Sequence, residues 1–577
     1  MDSSTTQAGF RWRSHFLLGV LLLAACMLVW RMVDLHILRH DFLQGEGNAR
    51  SLRTVSLMAH RGMITDRHGE PLAISTPIDS IWAEPQVLSL HRDRLAELAK
   101  ALGKDTDDLQ QLIGSKRNSE FVYLQRRSHP DRVNKVMSLK IPGVALQREY
   151  RRYYPSGEVT GHLVGFTNID DVGQEGVELV FDNLLRGVPG SKRVVKDRLG
   201  SIVKNVDSIK LPEPGGVLAL SIDRRIQYLA YSELKKAVVK HKAKSGSAVV
   251  LDVLTGEVLA MVNQPSFNPN NRKNLKGSNY RNRAVTDVFE PGSTLKPFTV
   301  AAALESGKYT AKTAVNTSPG FFKVGSNTVR DSKDLGVIDV ATILQKSSNV
   351  GASKMALSLT PEQHWHMLAR MGFGEITSSG YPGESSGMLS DYRQWRDIDR
   401  ATLAYGYGVS TTLLQLTQAY SILANNGIVR PVTLTRIENI TEVRQKQQRV
   451  IEASTAKQIR KMLQKVVEAG GTGTRAAIKN YLVAGKTGTV RKSGVGGYLE
   501  DRYLSLFAGI APVNNPRLAM VVLINEPNNG DYYGGVVAAP VFSSVIAGAL
   551  RLLNVSPDNL PNTDASLLKV AGVGGRS

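Results

Sequence analysis

The sequence predicts a multidomain α+β protein: an N-terminal transmembrane helix, a β-rich middle region, and a C-terminal domain built from a sheet flanked by helices plus a helical insertion. Three observations predict it. Phe16 to Trp30 is an unbroken apolar run. Between residues 35 and 215, short strand-like stretches are separated by Gly, Pro and Asp, as in Arg61-Gly-Met-Ile-Thr-Asp66-Arg67-His-Gly69 and Tyr153-Tyr-Pro-Ser-Gly157. After Leu211-Pro-Glu-Pro-Gly-Gly216, which reads as a linker, helical and strand patterns follow in the order helix, strands, helices, strands. The chain has 577 residues, and at roughly 100–200 residues per domain that leaves room for about three or four domains.

The N-terminal run is short for a span, but continuing it to Val33 with Arg31 snorkelling brings it near the required ~17–20 residues. The expected division is a cytoplasmic tail over 1–15 and an anchor over 16–34. Two other readings exist: a cleaved signal peptide, and lipoprotein processing at Leu23-Ala-Ala-Cys26. Met27-Leu-Val-Trp30 stays apolar after the cysteine, which argues against lipidation. Arg31, Arg39, Arg50 and Arg53 outnumber Arg11 and Arg13, so loop charge does not fix the orientation, and large following domains translocate regardless of it. Cys26 is the only cysteine, which rules out an intrachain disulfide and fits either redox compartment. The net charge of +21 admits an anionic lipid or an acidic polymer as partner. The basic residues are scattered and no nucleic-acid-binding signature is present, so no nucleic-acid partner is expected.

In the C-terminal region, Asp223 is placed to cap a helix from Arg224 to about His241, whose Ile226, Leu229, Leu234 and Val238 share a face. Ser247 to Val262 reads as a buried hairpin turning at Thr255-Gly256. Residues 290–430 are helix-rich, and strands return over Tyr481–Ala484, Leu504–Ile510 and Leu518–Ile524. From Ser556 onward the tail is polar and Gly-rich and is expected to be disordered. No internal repeat is evident.

Three short motifs carry the chemistry: Ser293-Thr-Leu-Lys296, Ser347-Ser-Asn349 and Lys486-Thr-Gly488. A serine hydroxyl is a poor nucleophile until a neighbour takes its proton. Residues at i and i+3 of a helix share a face, so Lys296 can be that neighbour. Ser-x-x-Lys alone is weak, since it recurs at Ser201/Lys204, Ser232/Lys235, Ser454/Lys457 and Ser566/Lys569, and Ser-x-Asn recurs at Ser266/Asn268. Only the Ser293 copy follows a Pro-Gly turn, in Phe289-Glu-Pro-Gly-Ser293, and opens an apolar run from Phe298 to Leu304. Pro297 disfavours helical geometry at Lys296 unless the helix begins close to Ser293. The plain alternative is a serine N-cap with a solvated lysine. The histidines show no metal-ligand spacing, so no metal and no cofactor is expected.

With these motifs in order, the chain resembles the class B penicillin-binding proteins, the peptidoglycan transpeptidases. The resemblance extends to the anchor, to Arg61-Gly-x-x-x-Asp66-Arg67-x-Gly69, to Arg152-Tyr-Tyr-Pro155 through His162 and Gly165, and to Gly173-Gln-Glu-Gly-Val-Glu178. These blocks belong to the non-catalytic, dimerisation-like pedestal of that class. Phe289-Glu-Pro-Gly is closer to the septal, cell-division branch than to the elongation branch, and no glycosyltransferase domain of the class A kind precedes the pedestal. The resemblance implies an elongated pedestal over 35–215, a penicillin-binding or serine β-lactamase-like transpeptidase domain over 216–555, and a flexible tail over 556–577. It implies a bacterial inner-membrane protein with its catalytic domain in the periplasm, enriched at the division site.

It also implies roles. Ser293 attacks the carbonyl between the last two D-alanines of a stem peptide, Lys296 takes its proton, and Ser347 relays a proton to the leaving D-Ala. Asn349 holds the donor's amide, Lys486 supplies positive potential, and Gly488 leaves room for substrate backbone. Thr487 and Thr489 bind the terminal carboxylate, and the N–H groups of Ser293 and Thr489 form the oxyanion hole. Tyr407 lines the site, and Tyr503, Tyr532 and Tyr533 form an aromatic wall. The implied partners are peptidoglycan stem peptides, β-lactams, the membrane, and division-complex proteins including a septal peptidoglycan polymerase. Arg61, Asp66 and Arg67 are expected to hold the pedestal together.

Rival readings remain open. A β-lactamase of class A would carry Glu-x-x-Leu-Asn, which this chain lacks. A D,D-carboxypeptidase would share the first half-reaction, and a division scaffold would use the anchor and pedestal with a secondary catalytic role.

Overall fold

A computed structural model describes residues 5–43, 45, 52–196, 202–273, 277–439, 441, 447–494 and 496–560. Internal contacts group the chain into two units that interleave in sequence: residues 1–60, 76–151 and 187–214 in one, and 61–75, 152–186 and 215–577 in the other. The Arg61–Gly69 and Arg152–Glu178 blocks belong with the larger unit, because their charges are spent there.

The smaller unit begins with helix α1, Thr5–Val33. At 1.5 Å per residue it is about 43 Å long, more than the ~30 Å of a bilayer's hydrocarbon core. Its apolar side chains are exposed, Phe16 and Trp30 among them, and Trp12–Leu38 is long and apolar enough to cross a membrane. The helix starts well before Phe16, so the expected tail over 1–15 is helical from Thr5 on. Arg31 and Arg39 both pair with Asp34, at 2.7 and 3.0 Å. Strand β1 (Leu52–Leu57) joins an antiparallel sheet with β5 (Gly190–Lys196) and β6 (Ile202–Lys210). From Thr76, β2 (Pro71–Ala83) runs on toward α2 (Leu95–Leu102) and α3 (Thr106–Ser115). With β3 (Val122–Ser128), α4 (Pro130–Ser138) and β4 (Val144–Tyr153) these bury Ile81, Leu98, Leu109, Leu124 and Val136 in a separate core. The unit mixes these helices with its strands around that core.

In the larger unit, Arg61 and Arg152 converge on buried Glu178, each Nε at 2.6 Å, and Arg61 also reaches Asp182 at 2.6 Å. Asp66 accepts from the backbone of His68, Glu70 and Arg224, and Arg67 pairs with Glu257 at 3.2 Å. Arg61 thus ties blocks within residues 61–182 to one another, while Asp66 and Arg67 reach on to Arg224 and Glu257. The side chains of Arg61 and Glu178 are 1% and 0% exposed. Arg61→Ala would leave carboxylates buried with too few partners and is expected to cost about 3–5 kcal/mol, read as a lowered midpoint in urea unfolding.

Asp223 caps α5 (Arg224–Lys240) by accepting from Arg225 N, as expected. The five-stranded antiparallel sheet has the order β8-β7-β13-β12-β11. Its members are β7 (Ser245–Asp252), β8 (Val258–Gln264), β11 (Ala484–Gly494), β12 (Gly497–Ala511) and β13 (Leu518–Asn525). The expected hairpin is β7–β8. The expected strand Tyr481–Ala484 ends where β11 begins, so Lys486-Thr-Gly lies inside the strand. Side chains alternate between two cores. Val250, Phe507 and Val522 pack with Ile226 and Leu234 of α5 and with Phe542 and Val545 of the C-terminal helix Ala539–Leu552. Val249, Leu506 and Val521 pack with the helical region. The stretch Gly534–Leu552 is also long and apolar enough to span a membrane, but most of it is buried, as a core helix is.

The helical region contains α6 (Lys296–Glu305), a hairpin of β9 (Phe321–Val324) and β10 (Asn327–Arg330), α7 (Val340–Lys346), α8 (Asn349–Ser358), α9 (Pro361–Arg370), α10 (Leu413–Ala424) and α11 (Ala453–Val467). Every residue of α10 is buried, which makes it the axis of this region. The start of the expected disordered tail is fastened: Asp558 accepts from Leu482 N and Asn514 N, at 2.8 and 3.1 Å. The rest of that expectation, 561–577, lies outside the described residues, as do Arg50, Ser201 and the Ser566 copy of Ser-x-x-Lys.

Candidate active site

The local sequence makes the nucleophile turn. Gly292 has φ +54°, and a Cβ there would meet Val490 Cγ2 at 2.3 Å. Glycine is therefore required both for the left-handed backbone and for the close approach. The 3-10 turn Gly292–Leu295 leads into α6. Pro297 thus falls in the first turn of the α-helix, where a missing N–H costs nothing. That resolves the conflict between Pro297 and a helical Lys296. Tyr420 of α10 donates to Thr294 O at 2.9 Å and Gly292 N to Gly406 O at 3.1 Å, so the turn is held from two sides.

Lys296 is fully buried, and its Nζ donates to Ser347 O at 2.5 Å, Ser347 Oγ at 3.1 Å and Asn349 Oδ1 at 2.8 Å. From the other side, Lys486 Nζ donates to the same Ser347 Oγ at 2.9 Å and to Thr487 O at 3.2 Å. The two lysines, from a helix and from an edge strand, meet on one hydroxyl. Burial holds the Lys296 ammonium well below the ordinary lysine range; the charge of Lys486 adds to this and Asp331 opposes it. Burial likewise pushes Lys486 down to about 7. Asn349 Nδ2 donates to Arg330 O at 3.0 Å, which leaves its second N–H free to donate.

β11 is the edge strand, so alternate N–H and C=O groups lack ladder partners. Lys486, Gly488 and Val490 share one face. A Cβ at Gly488 would lie 3.1 Å from Thr294 Cγ2 and 3.3 Å from Pro291 O, so glycine lets the strand close on the nucleophile turn. Thr487 and Thr489 share the other parity. Thr487 Oγ1 pairs with Thr472 Oγ1 at 2.8 Å, and Thr489 Oγ1 accepts from Gly534 N at 3.0 Å. Thr489 keeps its hydroxyl proton to donate, and Thr487 keeps its own when Thr472 is the donor of the pair.

The aromatic residues fall into two groups. Tyr407 makes edge contacts with Tyr405 and Tyr498, centroids 5.6 and 5.3 Å apart, in a loop that abuts the nucleophile turn. Tyr503 stacks on Tyr532 at 4.2 Å, and Tyr532 on Tyr533 at 4.5 Å. This stack reaches the motif strand through Gly534. The other described Ser-x-x-Lys copies are elsewhere: Lys235, beside Ser232, binds Glu158 and the Tyr231 hydroxyl, and Ser454 and Lys457 are exposed on α11. Among the described residues no cluster of His, Cys, Asp or Glu could hold a metal ion.

Sequence reasoning missed several contributors. Glu290 accepts from Gly408 N at 2.8 Å and from the Tyr498 hydroxyl at 3.2 Å, joining the turn to the Tyr407 loop and to the start of β12. It sits inside the quoted Phe-Glu-Pro-Gly, so a signal existed. Asp331, which binds the start of α8, and Thr472 carry no local signal.

A serine acyl-transfer enzyme is the class that this fold and site define. The family model described as penicillin binding protein transpeptidase domain matches residues 246–547, and that of the penicillin-binding protein dimerisation domain matches residues 56–220. Peptidoglycan D,D-transpeptidase FtsI of Escherichia coli is 43% identical over 98% of this chain and 96% of its own. Probable peptidoglycan D,D-transpeptidase PbpC of Pseudomonas aeruginosa is 42% identical over 96% of this chain and 97% of its own. The crystal structure of penicillin binding protein 3 from Mycobacterium tuberculosis, complexed with aztreonam, aligns with TM-score 0.67 at 27% identity, covering 87% of this chain and 98% of that one. The chain belongs to the class B penicillin-binding proteins, which join a dimerisation domain to a transpeptidase domain.

Proposed function

We propose that this chain cross-links peptidoglycan stem peptides at the division septum through an acyl-enzyme on Ser293. The observation that carries the reading is the meeting of Lys296 and Lys486 on Ser347 Oγ beside the Ser293 turn. Ser293 Oγ attacks the carbonyl between the two D-alanines as neutral Lys296 takes its proton. The oxyanion rests on the N–H groups of Ser293, in the first turn where donors lack intrahelical partners, and of Thr489 on the edge strand. Ser347, touching both lysines, passes a proton to the departing D-Ala nitrogen, and the C–N bond breaks. Asn349 donates its free N–H to the donor peptide. Lys486 attracts the terminal carboxylate, which Thr487 and Thr489 bind with their remaining hydroxyl protons. Gly488 lets the peptide backbone lie along the strand. Tyr407 and the Tyr503–Tyr532–Tyr533 wall flank it. An amine of a second stem peptide then attacks the ester, closing the cross-link and freeing Ser293. A β-lactam enters the same sequence and stays on Ser293, because its leaving nitrogen remains tethered.

The α1 helix anchors the chain in the inner membrane with the catalytic domain in the periplasm. A spanning helix also suits packing against a septal polymerase, and the catalytic chemistry calls for no metal or cofactor.

Two protonation states are needed at once, Lys296 neutral and Lys486 charged. The acylation rate should therefore rise as Lys296 loses its proton and fall as Lys486 loses its own, above about pH 7. A bound carboxylate stabilises the ammonium and moves the falling limb up. Rates with a fluorescent penicillin between about pH 5 and 10 should trace a bell. Lys486→Arg, charged throughout, should lack the falling limb. A wild-type rate that climbs steadily across the range contradicts this pairing.

The function itself is tested with the full chain in detergent, a labelled pentapeptide donor and an amine acceptor, with products read by mass spectrometry. Acceptor-dependent cross-linked product is expected. Hydrolysed donor alone, whatever the acceptor, would make the chain a carboxypeptidase.

A further inference from the structure

Ser347 is a non-glycine residue at φ +63°, a region that residues with a side chain seldom adopt. It joins the end of α7 to the start of α8, and in that conformation it offers Lys296 both its carbonyl and its hydroxyl. Such a backbone persists only when its surroundings hold it.

Two things hold it: the C-cap bonds of α7, from Ser347 N to Leu344 O at 3.3 Å and Ser348 N to Ile343 O at 3.0 Å, and Asp331, the first residue after β10. Its Oδ2 accepts from Ser348 Oγ at 2.5 Å; its Oδ1 accepts from Asn349 N at 2.5 Å and Val350 N at 3.1 Å. The three residues after Ser347 are therefore all fastened to one carboxylate. Two of these donors are first-turn N–H groups of α8, which lack partners within the helix and favour a negative charge. Asp331 N donates to Gly320 O at 2.8 Å, fixing the carboxylate to its own loop. The neighbouring carbonyl, Arg330 O, takes Asn349 Nδ2 at 3.0 Å and so turns Oδ1 toward Lys296.

We propose that Asp331 is a positioning residue for the lysine base: by pinning Ser348, Asn349 and Val350, it keeps Ser347 left-handed and Asn349 oriented so that together they seat Lys296. This rests on the reading of Lys296 as the base. Asp331 also acts by charge, since its carboxylate favours the ammonium form of Lys296 while burial and Lys486 disfavour it. Among the other charged or titratable groups on the elements around α6, the lysines and the arginine are turned elsewhere, and His364 faces α6 one turn beyond Lys296. Lys346 of α7 binds Gly470 O, Lys354 of α8 binds Asn316 O, Arg460 of α11 binds the Leu423 and Ala424 carbonyls, and His364 of α9 meets Thr299 Oγ1.

The two parts of the role separate in two variants of the full chain, assayed with a fluorescent penicillin across pH. Asp331→Ala removes all three hydrogen bonds and should slow acylation by about 10–100-fold, the scale of a misplaced catalytic group. Asp331→Asn keeps an acceptor for Asn349 N but loses the charge. It should slow acylation less and shift the acid limb of the profile to lower pH, because the ammonium of Lys296 has lost its favouring charge. A purely structural role would lower the melting temperature and leave the limb in place. If Asp331→Asn folds and shows the wild-type rate and limb, or loses activity only in step with its folded fraction by circular dichroism, the proposal is overturned, even where Asp331→Ala fails to fold. Lys296→Ala is run in parallel. If it acylates normally, the base assignment falls; if it is inert while both Asp331 variants match wild type, only the positioning role falls.

Discussion

Ser293→Ala is expected to abolish covalent labelling by β-lactams and all cross-linking, while the folded domain still binds the drug reversibly. The expectation follows from the turn rather than from the serine alone. Gly292 cannot be replaced there without striking Val490, the turn is tied to Gly406 O and to the Tyr420 hydroxyl, and it feeds directly into the helix that carries Lys296. No other described Ser-x-x-Lys copy meets Ser-x-Asn or Lys-Thr-Gly. Removing one hydroxyl from a half-buried position costs little stability, so the loss is chemical. Reversible binding by the variant, read by competition or calorimetry, separates it from misfolding. Labelling that persists in Ser293→Ala would mean another nucleophile.

Lys296→Ala should keep the fold and slow acylation by about 10²–10⁴-fold, the usual worth of a positioned general base. The geometry says why a lysine can serve. Its three protons are matched by Ser347 O, Ser347 Oγ and Asn349 Oδ1; as the neutral amine it has two protons and a lone pair, so it must release one acceptor and can take a proton instead. Burial and the neighbouring Lys486 both favour that neutral form. Lys486→Ala should also weaken capture of the ligand carboxylate, raising the concentration needed for half-maximal acylation, whereas Lys296→Ala should act on the rate at saturation. Stopped-flow acylation separates the two. A near-normal rate in Lys296→Ala would require a different base.

Much of this was legible in the chain. Asp223 announced its helix because a cap and an apolar period agree, and the β7–β8 hairpin was readable because two apolar runs, Ala248–Leu251 and Val258–Val262, flank Thr255-Gly256. The three motifs named the site because their order and the Pro-Gly turn before Ser293 set them apart from the other Ser-x-x-Lys copies. β11 was misplaced for the reason that makes it functional: Lys486, Thr487 and Thr489 interrupt the apolar alternation, and their burial is made tolerable by hydrogen bonds that no local pattern announces. Glu290 and Asp331 were missed because they act through backbone N–H groups of residues far along the chain. The pairing of Arg61 and Arg152 with Glu178 was likewise hidden, since an arginine gives no local sign of a partner so far along the chain.

The claim that one serine carries the chemistry is tested most directly by treating the intact wild-type chain with a labelled penicillin, measuring its mass, and mapping the adduct by peptide sequencing. A single adduct on Ser293 is the expected result. An adduct on Ser232 or Ser454, or none under conditions where the folded protein binds the drug, would contradict it.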